Sequence, residues 1–175
     1  EEVARHFGYE HITPMPPQVV AITAHKPPET ITIQSAIQTM MSGAGYTETF
    51  VYEFTGENEL ATFHIDPHTA VAIQNPISPD HAYLTPRLLT KLTVPAIQNT
   101  KYVDTVLLFS IGKSFIRDHR NIHERNDLVI ARTTKKVSDA EGFYELKGTI
   151  DQLLESFRIT NHWYDDTFSD DQKNI

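Results

Sequence analysis

Cysteine is absent from the 175 residues, which rules out a disulfide framework and any thiolate metal site and fits a reducing compartment. Long apolar runs are missing as well: no stretch approaches the roughly 18 residues of a membrane span, and the first residues do not carry the basic, apolar and small-residue order of a signal peptide. A soluble, cytoplasmic protein with no membrane contact is expected. Positive charge is scarce, 15 Lys and Arg against 23 Asp and Glu, a net charge of -8. A nonspecific grip on nucleic acid by the whole surface is therefore excluded, because neutralising phosphates needs clustered cations. The chain opens on Glu1 inside a helical pattern, so the expectation is a piece of something longer. A chain of this length buries about 70% of its unfolded surface and needs no staples.

The most structured stretch is 71–117. Val71 to Gln74 reads as a strand, and the turn Asn75-Pro76-Ile77-Ser78-Pro79-Asp80 ends it, since a residue before proline is biased away from helix. Leu84, Leu88, Leu89, Leu92, Ala96 and Ile97 then recur at three- and four-residue intervals and predict a helix from Leu84 to Asn99, with Pro86 in its first turn. Pro95 predicts a kink or two short helices. Val103 to Ile111 is aliphatic, β-branched and aromatic, the pattern of a core strand buried on both faces.

Around this stretch, Glu1 to Phe7 predicts a short helix closed by Gly8 as a left-handed cap. Tyr9 to Pro28 is rich in proline and reads as an extended tether lying on another surface. A helix is expected from Glu29 to Ala44, with Ile33, Ile37, Met40, Met41 and Ala44 inward and Gly43 and Gly45 at its end. Thr47 to Phe54 predicts a strand, Gly56-Glu57-Asn58 a turn, Asp127 to Thr134 a strand and Gly142 to Phe157 a helix. Ile159 to Trp163 reads as a last strand, and 165–175 as a loose acidic tail. The organisation is thus 1–28 as the end of a preceding domain with its tether, 29–164 as the main module, and 165–175 as tail. The fold class is α+β, a mixed, mainly antiparallel sheet flanked by helices.

Five motifs in order carry a resemblance over nearly the whole chain. They are Glu1-Glu2-Val3-Ala4-Arg5-His6-Phe7-Gly8-Tyr9 followed by Ile12 and prolines, Gly43-Ala44-Gly45-Tyr46-Thr47-Glu48, Asn75-Pro76-Ile77-Ser78, Leu108-Phe109-Ser110-Ile111-Gly112 and Phe143-Tyr144-Glu145-Leu146-Lys147-Gly148. Together they resemble the catalytic-like module of the bacterial phenylalanyl-tRNA synthetase beta subunit. The chain departs from the family at Ser110, where glutamate is usual, and along Leu84-Thr85-Pro86-Arg87-Leu88-Leu89. The resemblance implies a class II aminoacyl-tRNA synthetase-like fold without an active site of its own, supporting an alpha subunit that binds ATP and phenylalanine. Contact with tRNA is implied only through the full complex.

Arg117, Asp118, His123 and Glu124 are the candidate cluster for chemistry. They are similar to the strand-loop segment where active class II synthetases set an arginine on the ATP α-phosphate, and an arginine clamp with an adjacent acid suits phosphoanhydride transfer. The competing reading makes Arg117, Asp118, His119, Arg120, His123 and Glu124 a solvated loop between two strands. His64-Ile65-Asp66-Pro67-His68 could offer a metal two histidines and a carboxylate, but Pro67 favours an exposed turn. Glu1 and Glu2 match a family glutamate pair associated with magnesium, and hard oxygen ligands suit that ion. The upstream aspartates of the family site are missing here, so Mg2+ is expected in the full complex and no cofactor in this piece.

Between Thr30 and Thr47 the predicted helix carries no charge. Ile31, Ser35, Gln38 and Thr39 form a second, uncharged face, which a helix turned to water would not normally have. The resemblance places such a helix along the subunit boundary, so these four residues are the expected alpha-subunit interface; a helix covered by the tether is the other reading. The functions left open are a noncatalytic scaffold in phenylalanine-tRNA ligase, a free-standing adenylate-forming relative, and a small-ligand-binding module.

Overall fold

The computed structural model describes residues 1–16, 26–119 and 121–164. Two compact units divide the chain, 1–32 and 33–175. The middle of the expected tether and the expected acidic tail fall outside the described residues. In the first unit, helix α1 (Glu2–Phe7) ends at Gly8, whose N–H bonds the Ala4 carbonyl at φ 95° and ψ 121°, an extended positive-φ geometry where a left-handed cap is expected. A 3-10 turn follows at Tyr9–His11.

Helix α2 (Glu29–Gly43) runs to within one residue of its expected end. Beyond it the structure has β1 (Thr47–Glu48), β2 (Phe54–Thr55), α3 (Glu57–Thr62), β3 (Val71–Ala72), β4 (Tyr83–Leu84), α4 (Leu88–Asn99), β5 (Thr105–Asp118), β6 (Asn121–Thr134) and α5 (Asp139–Ser156). The class is α+β, and among the described residues three of four strand pairings are antiparallel. Where one sheet is expected there are two, ordered β1-β5-β6 and β2-β4-β3.

The long hairpin β5-β6 is the frame. Phe109 on β5 is fully buried with Met41 of α2 and Tyr46, and Ile37, Leu107, Ile111, Leu128 and Ile130 pack around them. Because side chains alternate along a strand, Val106, Ser110 and Ser114, all buried, project from the opposite face, which α4 contacts. The two-sided burial read from 103–111 holds from Val106 onward, whereas Val103 is exposed. Helix α5 joins the Met41 side, with the Tyr46 hydroxyl 3.4 Å from Thr149 Oγ1 and Ser156 Oγ donating to Met40 Sδ at 3.0 Å.

Several boundaries differ from expectation for identifiable reasons. The expected helix from Leu84 begins at Leu88: Leu84 pairs with Phe54 and Val71 in the second sheet, so Pro86 lies before the helix. Pro95 is inside one continuous helix. Its ring removes a bond at about 3 kcal/mol, but Leu88, Leu92 and Ala96 are buried on that helix, and each large aliphatic residue returns roughly 1.5–3 kcal/mol.

The expected strand Thr47 to Phe54 survives only at its ends, as β1 and β2. The expected turn 56–58 opens α3, with Gly56 as its N-cap, Glu57 and Glu59 in the favourable first turn and Leu60 buried. The strand expected from Val71 to Gln74 stops at Ala72. Helix α5 starts three residues early because Ser138 and Glu141 form a capping box. Residues 159–164 are not a strand.

Candidate functional site

The charged residues near 117–124 lie on paired strands, not in a loop. β5 and β6 are each 14 residues long and pair from Thr105↔Thr134 to Asp118↔Asn121. In this register Phe115 faces Glu124, Ile116 faces His123 and Arg117 faces Ile122. Strand alternation therefore puts Arg117 and Glu124 on one face and Asp118 and His123 on the other. The four do not converge on a common point. Glu124 is held by Lys113, Nζ to Oε1 at 2.5 Å, and that hydrogen bond, with the Glu124 charge behind it, raises the Lys113 pKa. Asp118 Oδ1 lies 3.7 Å from His119 Nε2 and is mostly exposed.

Deeper on the Asp118 face is an organised polar group the sequence reading missed. Ser114 Oγ, fully buried, donates to Asp127 Oδ2 at 2.6 Å, and Arg125 donates to both, at 3.3 Å and 3.2 Å. The available signal was the two-residue spacing of Arg125 and Asp127, which aligns them on one face opposite Ser114. Ser110, standing where the family has glutamate, is 1% exposed. Gly112 is roofed by Leu88, whose methyl carbons lie 3.2 Å and 3.3 Å from where a Cβ would stand. The centre of β5 is thus covered at Ser110, Gly112 and Ser114, whereas the Arg125 side chain of the polar group is 56% exposed.

The remaining edge of β5 is satisfied by irregular chain. Thr49 N–H donates to Phe109 O, Phe115 N–H donates to Thr85 O, and Glu53 Oε1 accepts the Lys113 N–H at 2.8 Å. The segment expected to be a continuous strand thus does its pairing partly through a side chain.

On α2, Ile31 is 54% exposed, and Ser35 and Thr39 are exposed, the Thr39 hydroxyl donating to the Ser35 carbonyl. Gln38 differs from these three: it is half-buried and donates to Glu48 Oε1 at 2.7 Å.

Glu1 and Glu2 are exposed, and Glu2 is paired with Arg5 at 3.0 Å. No group of three or more His, Asp or Glu side chains able to hold a metal occurs among the described residues. Two carboxylates, one already paired to a cation, do not by themselves fit a magnesium ion, which wants near-octahedral oxygen coordination. In the His64–His68 segment, Asp66 Oδ1 caps a turn by accepting the His68 N–H at 2.9 Å. A cleft of about 340 Å³ between α3 and α4 was not expected; Phe63, Thr90 and Val94 line it beside the ion pair of Lys91 and Glu59.

The family model described as "Phenylalanyl tRNA synthetase beta chain CLM domain" matches residues 12–173. Phenylalanine–tRNA ligase beta subunits from Solibacter usitatus and Yersinia pestis are 28% and 29% identical over 84% and 89% of the chain. The matches take in 19% and 21% of those proteins, so the chain spans about a fifth of their length. Among solved structures, two of pyrrolysyl-tRNA synthetase from Desulfitobacterium hafniense match with TM-scores of 0.64 and 0.61 at 15% and 14% identity. They cover 77% and 75% of this chain and 49% and 46% of theirs. At that identity the likeness is one of fold, the class II synthetase fold.

Proposed function

The chain belongs to the phenylalanyl-tRNA synthetase beta chain family, and from that membership we propose that it is a noncatalytic scaffold and interface domain. Its role is to support an alpha subunit that attaches phenylalanine to tRNA(Phe) with ATP. The observation that carries this reading is the hairpin. A phosphate clamp needs several preorganised donors aimed at one point, whereas Arg117 and Glu124 diverge from Asp118 and His123. The strand beneath them is closed by α4 over Ser110 and Ser114. ATP and phenylalanine belong on the partner, and tRNA meets the assembled complex. Magnesium is a property of that complex too, since Glu1 and Glu2 supply only part of a donor set.

The uncharged face of α2 supplies the contact. Ile31, Ser35 and Thr39 present no charge to a partner helix, and the Thr39 hydroxyl, satisfied by the Ser35 carbonyl, costs little to bury. Gln38 borders that face and orients Glu48. A cytoplasmic location follows from this role; among the described residues no helix is long and apolar enough to cross a membrane.

Pyrophosphate exchange with ATP and phenylalanine tests the first half. The purified chain should give background exchange, and activity lost on Arg117→Ala would favour the free-standing adenylate-forming alternative. Ser35→Glu with Thr39→Lys tests the second half. These charges pair along the helix at i,i+4 and leave the chain folded, and they should weaken assembly of a beta subunit with its alpha subunit. Unchanged assembly would reject the interface.

A further inference from the structure

We draw no further inference here: the strongest candidate, the cleft between α3 and α4 beside the ion pair of Lys91 and Glu59, carries nothing, because its Thr62 and Thr90 hydroxyls already donate to backbone carbonyls and nothing in the structure shows what covers its apolar wall of Phe63 and Val94.

Discussion

The Tyr164 hydroxyl donates to Asp151 Oδ1 at 2.7 Å, returning the chain beyond α5 onto that helix. His162 Nε2 lies 3.0 Å from the same oxygen, and Lys147 Nζ donates to Oδ2 at 3.0 Å while sitting 4.3 Å from the centre of the Tyr164 ring. Hydrogen bonds from Tyr164, Lys147 and His162, in that order, hold the Asp151 carboxyl well below the usual carboxylate range. Desolvation, with the Asp151 hydrogen bond and charge, pushes the Tyr164 phenol up to about 12.

Two limits in pH follow from these directions. Asp151 is depressed in the folded state, so its contribution is present above the ordinary carboxylate value of about 4 and is lost as pH falls below it. Tyr164 is raised, so its contribution is intact below the ordinary phenol value of about 10 and is lost as pH climbs through the folded value. Nuclear magnetic resonance should show the Tyr164 ring signals moving as pH climbs through that folded value. Phenolate absorbance should show a late-ionising tyrosine that Tyr164→Phe removes; an unchanged alkaline titration in that variant would refute the clamp.

Phe109 is the residue to empty in testing the core. It is fully buried, whereas its neighbour Leu108 is half-buried. Phe109→Ala should cost about 3–5 kcal/mol in urea unfolding, and Leu108→Ala clearly less. Equal losses would mean that β5 is not ordered as described.

What could be read beforehand depended on how far a pattern ran. Helix α2 and the end of α4 at Asn99 were legible because their apolar spacing persists over several turns and then stops. The strand core around Phe109 was legible for its aliphatic run. Its continuation through Arg117 was not, because β5 and β6 past the core are exposed ribbons whose polar residues carry no burial pattern. That hid the separation of Arg117 and Glu124 from Asp118 and His123. Six-residue α3 gave too short a window, and Leu84 fits a helical stripe as well as the strand it occupies. The Ser114, Asp127 and Arg125 group depends on a register that only strand pairing supplies.

The end of α5 yields a backbone prediction. Arg158 N–H bonds Glu155 O and Ile159 N–H bonds Leu154 O, the paired bonds of a Schellman turn, with Arg158 at φ 58° where glycine is usual. The left-handed conformation costs an L residue about 1–2 kcal/mol, while glycine in an unfolded chain costs roughly 0.5–1 kcal/mol in entropy. Arg158→Gly should therefore be neutral or stabilising by up to about 1 kcal/mol. Arg158→Val should destabilise by about 1 kcal/mol or more. Thermal melts of the two variants should move in opposite directions, or only the valine melt should fall.

The last prediction concerns Glu53, which stands in for a strand partner. Its Oε1 accepts the Lys113 N–H at 2.8 Å on the side of β5 where β1 no longer reaches. Glutamine keeps a carbonyl oxygen at that position, so Glu53→Gln should leave the Lys113 amide protected. Glu53→Ala removes the acceptor and opens a strand edge, which is also a template for unwanted pairing. Hydrogen exchange at Lys113 should quicken about tenfold in the alanine variant, the equivalent of one hydrogen bond of about 1.4 kcal/mol. Exchange at Phe115, whose N–H goes to Thr85 O, should stay near its original rate. If both amides quicken together, Glu53 is holding the whole 49–55 segment in place, and the alanine variant should then also lose the Thr49 bond to Phe109.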